Sequence, residues 1–173
     1  MENGNEALRE KDQVSRLRSG NVTAILSTIN EIRKSGKVSI LPVIFEILAD
    51  GPDERVYSEL LRFLNDIKDK EAIPFIIDAI GNSEYVSIRK ELVAACWQNN
   101  LGYSSYTGVF IEQALNGSYE VAIEAFTVIE DSIGELSQEE RKKLAGAMRK
   151  KATAIDDVKQ PLIQELIRMI ESF

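Results

Sequence analysis

Apolar residues along this chain return at helical spacing, and in places they crowd almost the whole circumference of a helix. Positions 40, 41, 43, 44, 45, 47 and 48 are apolar and cover roughly 200° of a helical wheel, with Glu46 and Asp50 outside that arc. The stretch KDKEAIPFIIDAIGNSEYVSIRKELVAACW, from Lys68 to Trp97, has the same character. Ile73, Phe75, Ile76, Ile77 and Ile80 leave Asp78 almost alone as a charge. A helix that apolar needs neighbours on several sides, which a stack of helix pairs supplies.

The pattern predicts a leading helix over about 5–17 and then four helix pairs. These are 21–34 with 38–49, 54–67 with 71–81, 84–99 with 106–116, and 119–133 with 137–152. A terminal helix follows over about 158–172, with Pro161 in its first turn, where a missing N–H costs nothing. Its apolar side carries Leu162, Ile163, Leu166, Ile167 and Ile170. The turn signals GNS and NGS separate neighbouring helices, and Ser137 with Glu140 has the spacing of a capping box.

The pairs are related to one another. INEIRKSGKVSILPVIFEILADG (Ile29 to Gly51) aligns with LNDIKDKEAIPFIIDAIGNS (Leu64 to Ser83), which places Pro42 and Pro74 32 residues apart. In the helices that follow, Val56, Glu59 and Leu60 fall where Ile88, Glu91 and Leu92 do. A weaker third copy, Val109 to Asp131, follows Pro74 to Cys96 at a spacing of 35, so that Val86 and Ile88 correspond to Val121 and Ile123. Periods in this range mark helical arrays.

Lys70 to Trp97 resembles a HEAT repeat: an AIP helix start, an apolar inner helix, a polar turn, then a second helix opening on Val86-Ser87-Ile88-Arg89. The resemblance covers about residues 20–135 and is strongest in the second unit. It implies an all-α fold, a right-handed α-solenoid of about four helix pairs (an αα-superhelix) closed by a C-terminal capping helix. The chain then reads as one repeat domain over 1–173. A leading helix or partly flexible stretch occupies about 1–18, helix pairs 20–152 and the capping helix 157–173. The third unit departs from the pattern, lacking its proline and carrying the long linker QNNLGYSSYTG.

Composition narrows the chemistry. The chain has 173 residues, enough for a substantial core, and a net charge of −7 that disfavours a general nucleic-acid binder. It contains no histidine, which excludes Ser-His-Asp and Cys-His nucleophile systems and histidine-ligated zinc. One cysteine, Cys96, offers neither an internal disulfide nor a cysteine-rich metal site. Flanked by Ala94, Ala95 and Trp97, it reads as a small packing residue. No Gly-rich phosphate loop is present, and no pair of acids is singled out by spacing. The expectation is therefore no catalytic residue, no metal and no cofactor. The opening MENGNEALREKDQ lacks the apolar core of a signal peptide, and no apolar run reaches about 18 residues. This reads as a cytoplasmic, monomeric protein without membrane attachment.

Charge is uneven. From Glu91 through Glu140 there is no lysine or arginine, and Arg141, Lys142, Lys143, Arg149, Lys150 and Lys151 follow. The expected function is a non-catalytic scaffold or adaptor that takes a protein or peptide partner, basic in character, on a partly acidic surface. In HEAT arrays the second helix of each pair lines the concave side, so the resemblance implies a polar row there from Glu46, Asp78 and Gln113, joined by Glu112. Tyr103 and Tyr106, set among Gly and Ser, are the expected aromatic anchors, while Phe110, Phe126 and Trp97 are expected to fill the core. The same resemblance leaves open an enzyme or enzyme subunit, of the DNA glycosylase or phycobilin lyase type. Self-assembly through uncapped repeats is a further alternative.

Overall fold

The computed structural model describes residues 2–35, 37–153, 155 and 157–173, with side chains from residue 7 onward. Among these the regular structure is helical throughout, and no helix is long and apolar enough to cross a membrane. The α-helices are α1 (Glu2–Leu17), α2 (Val22–Ser35), α3 (Leu41–Ala49), α4 (Glu54–Asn65), α5 (Ala72–Gly81), α6 (Arg89–Asn99), α7 (Thr107–Asn116), α8 (Tyr119–Ile133), α9 (Gln138–Ala152) and α10 (Gln160–Ser172). The chain divides into two compact units, Met1–Ile88 and Arg89–Phe173.

Local chemistry sets the helix boundaries. Pro42 and Pro161 stand in the first turns of α3 and α10. Asp53 caps α4 by accepting from the Arg55 N–H at 3.0 Å. Ser118 caps α8, and the Ser137–Glu140 capping box opens α9, with Glu140 Oε2 accepting from the Ser137 N–H at 2.9 Å. Gly51, at φ 67°, turns the chain out of α3 in a conformation that side chains resist.

In the first unit α1 packs on α2, α2 on α4, and α3 on both α4 and α5. Helices two apart in the chain therefore lie side by side. Ile25, Ile29 and Ile32 of α2 share a buried stripe with Val56, Leu60 and Leu64 of α4 as its counterpart. Ion pairs join the same helices at their rims: Arg16 grips Glu31 in two bonds of 2.8 and 2.6 Å, and Arg33 reaches Glu59 at 2.7 Å and also Asp66. In the second unit α8 packs against α6, α7 and α10, and α9 against α7 and α10. Small buried residues, Ala114 on α7 with Ala122 and Ala125 on α8, let these helices approach closely. Ile163, Leu166, Ile167 and Ile170 form the buried stripe of α10.

Burial confirms one internal correspondence and re-registers the other. At a spacing of 32, Leu41, Ile44 and Leu48 match Ile73, Ile76 and Ile80, and all six are buried. Val56, Leu60 and Leu64 likewise match the buried Ile88, Leu92 and Cys96. The expected spacing of 35 for the third copy holds in its first helix, where Ala79 and Ile80 fall on the buried Ala114 and Leu115. It fails in the second, where it equates exposed Val86 with buried Val121 and buried Ile88 with exposed Ile123. In that second helix a spacing of 33 carries Ile88, Leu92 and Cys96 onto the buried Val121, Ala125 and Ile129. Val86 and Ile123, apolar by type, both face solvent.

The helix expected over 84–99 is also split. Ser83–Ile88 forms a 3-10 turn with Tyr85 off the helical conformation (φ −104°, ψ 23°) before α6 begins at Arg89. Aromatic and β-branched side chains in this turn lower helix propensity, and the Tyr85 ring is held edge-on to Phe45 with centroids 6.0 Å apart.

Candidate functional site

The α3 and α5 helices expose the same positions. Along α3 the outward ridge is Pro42, Glu46 and Asp50; along α5 it is Pro74 and Asp78, with half-buried Asn82 next. Four-residue spacing keeps each set on one side of its helix, and the two helices pack together. Glu46 and Asp78 thus stand on the outer side of neighbouring helices in the first unit. Each is outward for the same reason: the remaining positions of its turn are consumed by core contacts.

Glu46 accepts an ion pair from Arg18, in the turn after α1. Both side chains are about half exposed, so the pair is solvent-screened and exchangeable. Asp78 makes no ion pair among the described residues. The Tyr85 ring lies beside this ridge. Its burial, and after that the charges of Glu46 and Glu84, push the phenol above its ordinary value. Sequence reasoning passed over Tyr85, because only the contact with Phe45 brings its ring back to α3.

In the second unit the expected residues separate. Glu112 is exposed and held by Lys151 and by the Asn116 side-chain amide at 2.9 Å. Gln113 is half-buried. Glu112 lies on an outer ridge with Gly108 and Asn116, while Gln113 is turned partly inward.

Tyr103 is not an exposed anchor. It is 2% exposed, edge-on to Phe110 with ring centroids 5.8 Å apart. Its hydroxyl shares hydrogen bonds with the Asn99 side chain at 3.2 and 3.3 Å. The linker folds inward here because Asn99 is itself buried and its carboxamide oxygen accepts from the Leu101 N–H. Tyr106 is half-buried. Trp97, expected in the core, is 38% exposed, and its indole N–H donates to Glu124 at 2.8 Å. Phe110 is fully buried and Phe126 half-buried.

Nucleophilic chemistry finds no support at Cys96. The thiol is buried, donates to the Leu92 carbonyl at 3.3 Å and is pushed up to about 12 by loss of solvent, so it stays protonated at neutral pH. A cleft of about 230 Å³ in the first unit has an apolar floor of Val38, Leu41, Phe63 and Ile67. Arg33 at its rim is already engaged by Glu59 and Asp66. Among the described residues no group of carboxylates and thiol is placed to hold a metal ion. Compared with known proteins, the chain matches no family model, no curated protein and no solved structure.

Proposed function

We propose that this chain is a non-catalytic binding module of the HEAT-like α-solenoid kind, which takes a basic protein or peptide segment on the α3/α5 face. The observation that carries the reading is the recurrence of an exposed carboxylate, Glu46 and then Asp78, at the same point of two adjacent helices. Matching burial at a spacing of 32 supports the repeat, since it extends over both helices of each pair. Tyr85 adds an aromatic edge on the Glu46 side of this face, the residue type that dominates contact energies at protein interfaces.

The arrangement suggests competition. Arg18 already satisfies Glu46, so a partner cation must displace an internal guanidinium, while Asp78 is open to it. Fluorescence anisotropy with labelled Lys/Arg-rich peptides tests this on the full chain. Glu46→Gln with Asp78→Asn should weaken the best binder roughly tenfold or more and leave thermal stability nearly unchanged, because both side chains are exposed. Arg18→Gln should act in the opposite sense and strengthen binding. Equal affinities across these variants would refute the reading.

A further inference from the structure

The outer side of α9 carries a charge that the fold does not consume. From Arg141 through Ile155 the chain contains no acid, although its net charge is −7. Within α9, Lys142 and Lys143 stand four and three residues before Gly146, and Arg149 and Lys150 three and four after it. At 3.6 residues per turn these positions surround Gly146 on one side of the helix, within about 60° of it. All five residues are exposed, on the side away from the buried Met148 and Ala152.

The cations are accessible. Lys142, Lys143 and Lys150 make no ion pair among the described residues. Arg149 pairs with Glu171 of α10 at 2.6 Å, and both side chains are in solvent, so the pair is exchangeable. Glu139, one turn before the two lysines on the same side, offsets part of the field. Gly146 has no structural reason to be glycine. Its φ is not positive, and a Cβ would meet no atom within 4 Å, yet glycine inside a helix is less stable than alanine. Its effect is to leave bare backbone at the centre of the four cations.

We propose that this face takes an acidic helix of another protein, laid across α9 at Gly146 with its carboxylates against the four cations. How closely two helices approach is set by the side chains at their crossing, and here there is none. Cations three and four residues to either side match carboxylates at the same spacing on a partner helix. A nucleic acid fits less well, because its phosphates run on beyond a single helix face and the chain's net negative charge opposes them. A membrane surface fits less well too, because α9 exposes no large apolar side chain to insert. The surface uses no residue of the α3/α5 face, so either can fail without the other.

Fluorescence anisotropy tests this on the full chain. One labelled Ala/Glu helical peptide has its glutamates along one side, and another of the same composition has them dispersed around the helix. The expected result is saturable binding, roughly tenfold or more tighter for the one-sided peptide, that weakens as salt rises. Lys142→Gln with Lys143→Gln and Lys150→Gln should weaken it about tenfold or more. Gly146→Leu should also weaken it about tenfold, by holding the helices apart, while helicity by circular dichroism is kept. Lys151→Gln, on another side of α9 where Lys151 meets Glu112, should leave binding intact, as should Glu46→Gln with Asp78→Asn. No binding, equal binding of the two peptides or indifference to Gly146→Leu would overturn the proposal. Tighter binding of duplex DNA or of phosphatidylserine vesicles would overturn it as well. So would sedimentation that depends on protein concentration and is normalised by the triple lysine variant, by seating a second copy on the face.

Discussion

Gly117 joins α7 to α8 at φ −73° and ψ 177°, a backbone that any residue adopts. Space alone keeps it glycine: a Cβ would sit 2.6 Å from the Gln113 carbonyl oxygen and 2.7 Å from Val121 Cγ1. Both obstacles belong to helices, so Gly117→Ala should cost about 1–3 kcal/mol, measured by urea unfolding. Tyr103→Phe keeps the ring against Phe110 but strips the hydroxyl from buried Asn99. Losing the hydrogen bonds between this hydroxyl and the Asn99 side chain should cost about 1 kcal/mol in the same assay. Cys96 supplies a kinetic counterpart. Its protonated, buried thiol should resist a disulfide reagent in the native chain and react promptly in denaturant.

Among the elements, α9 depends most on its ends. Its buried residues are Ala145, Met148 and Ala152, which bring little apolar area to the second unit. The Ser137–Glu140 box opens it, and α10 lies against its side. Ser137→Ala should destabilise by about 1 kcal/mol and speed amide exchange first in the opening turn of α9. Leu166→Ala, inside the buried stripe of α10, should cost about 2–5 kcal/mol and expose α8 and α9 to exchange together. An effect confined to α10 would show that it packs independently of them. The helices themselves were readable from periodicity, proline and cap signals to within a few residues. The exception was 84–99, where the Tyr85–Phe45 contact replaces the first turn with a 3-10 segment. That contact joins residues forty positions apart in the sequence, beyond the reach of local propensity.

At the scale of the whole molecule, the absence of histidine leaves no side chain with an ordinary pKa near neutrality. Several carboxyls are held below their usual values: Glu31 by hydrogen bonds from Arg16, Asp53 by those from Arg55, and Glu140 by those from Ser137. Because their folded-state values lie below the unfolded ones, the unfolded chain binds more protons as the medium turns acid. Their contribution is fully present above the ordinary carboxyl values of 4.5 and 3.8 and is lost as pH falls through the depressed ones. The urea midpoint should therefore be nearly level from about pH 6 to 8 and decline below about pH 4.5. Glu31→Gln should flatten the acid limb slightly, since the exposed pair with Arg16 is screened. A midpoint that moved between pH 6 and 8 would point to a titrating group outside these carboxyls.

Helical class, helix count and the 32-residue correspondence were written in the sequence, because amphipathic spacing and end signals act within a few residues of themselves. The outward placement of Glu46 and Asp78 followed from the same periodicity. Tertiary packing alone decided which apolar residues go inside. Tyr103 is buried because Asn99 and Phe110 receive it, and Trp97 stays out because Glu124 holds its indole at the surface. It also decided which polar side chain of α7 meets solvent, leaving Glu112 exposed and Gln113 half-buried. Local pattern says that a side chain is apolar; only the space left by other helices says whether there is room for it inside.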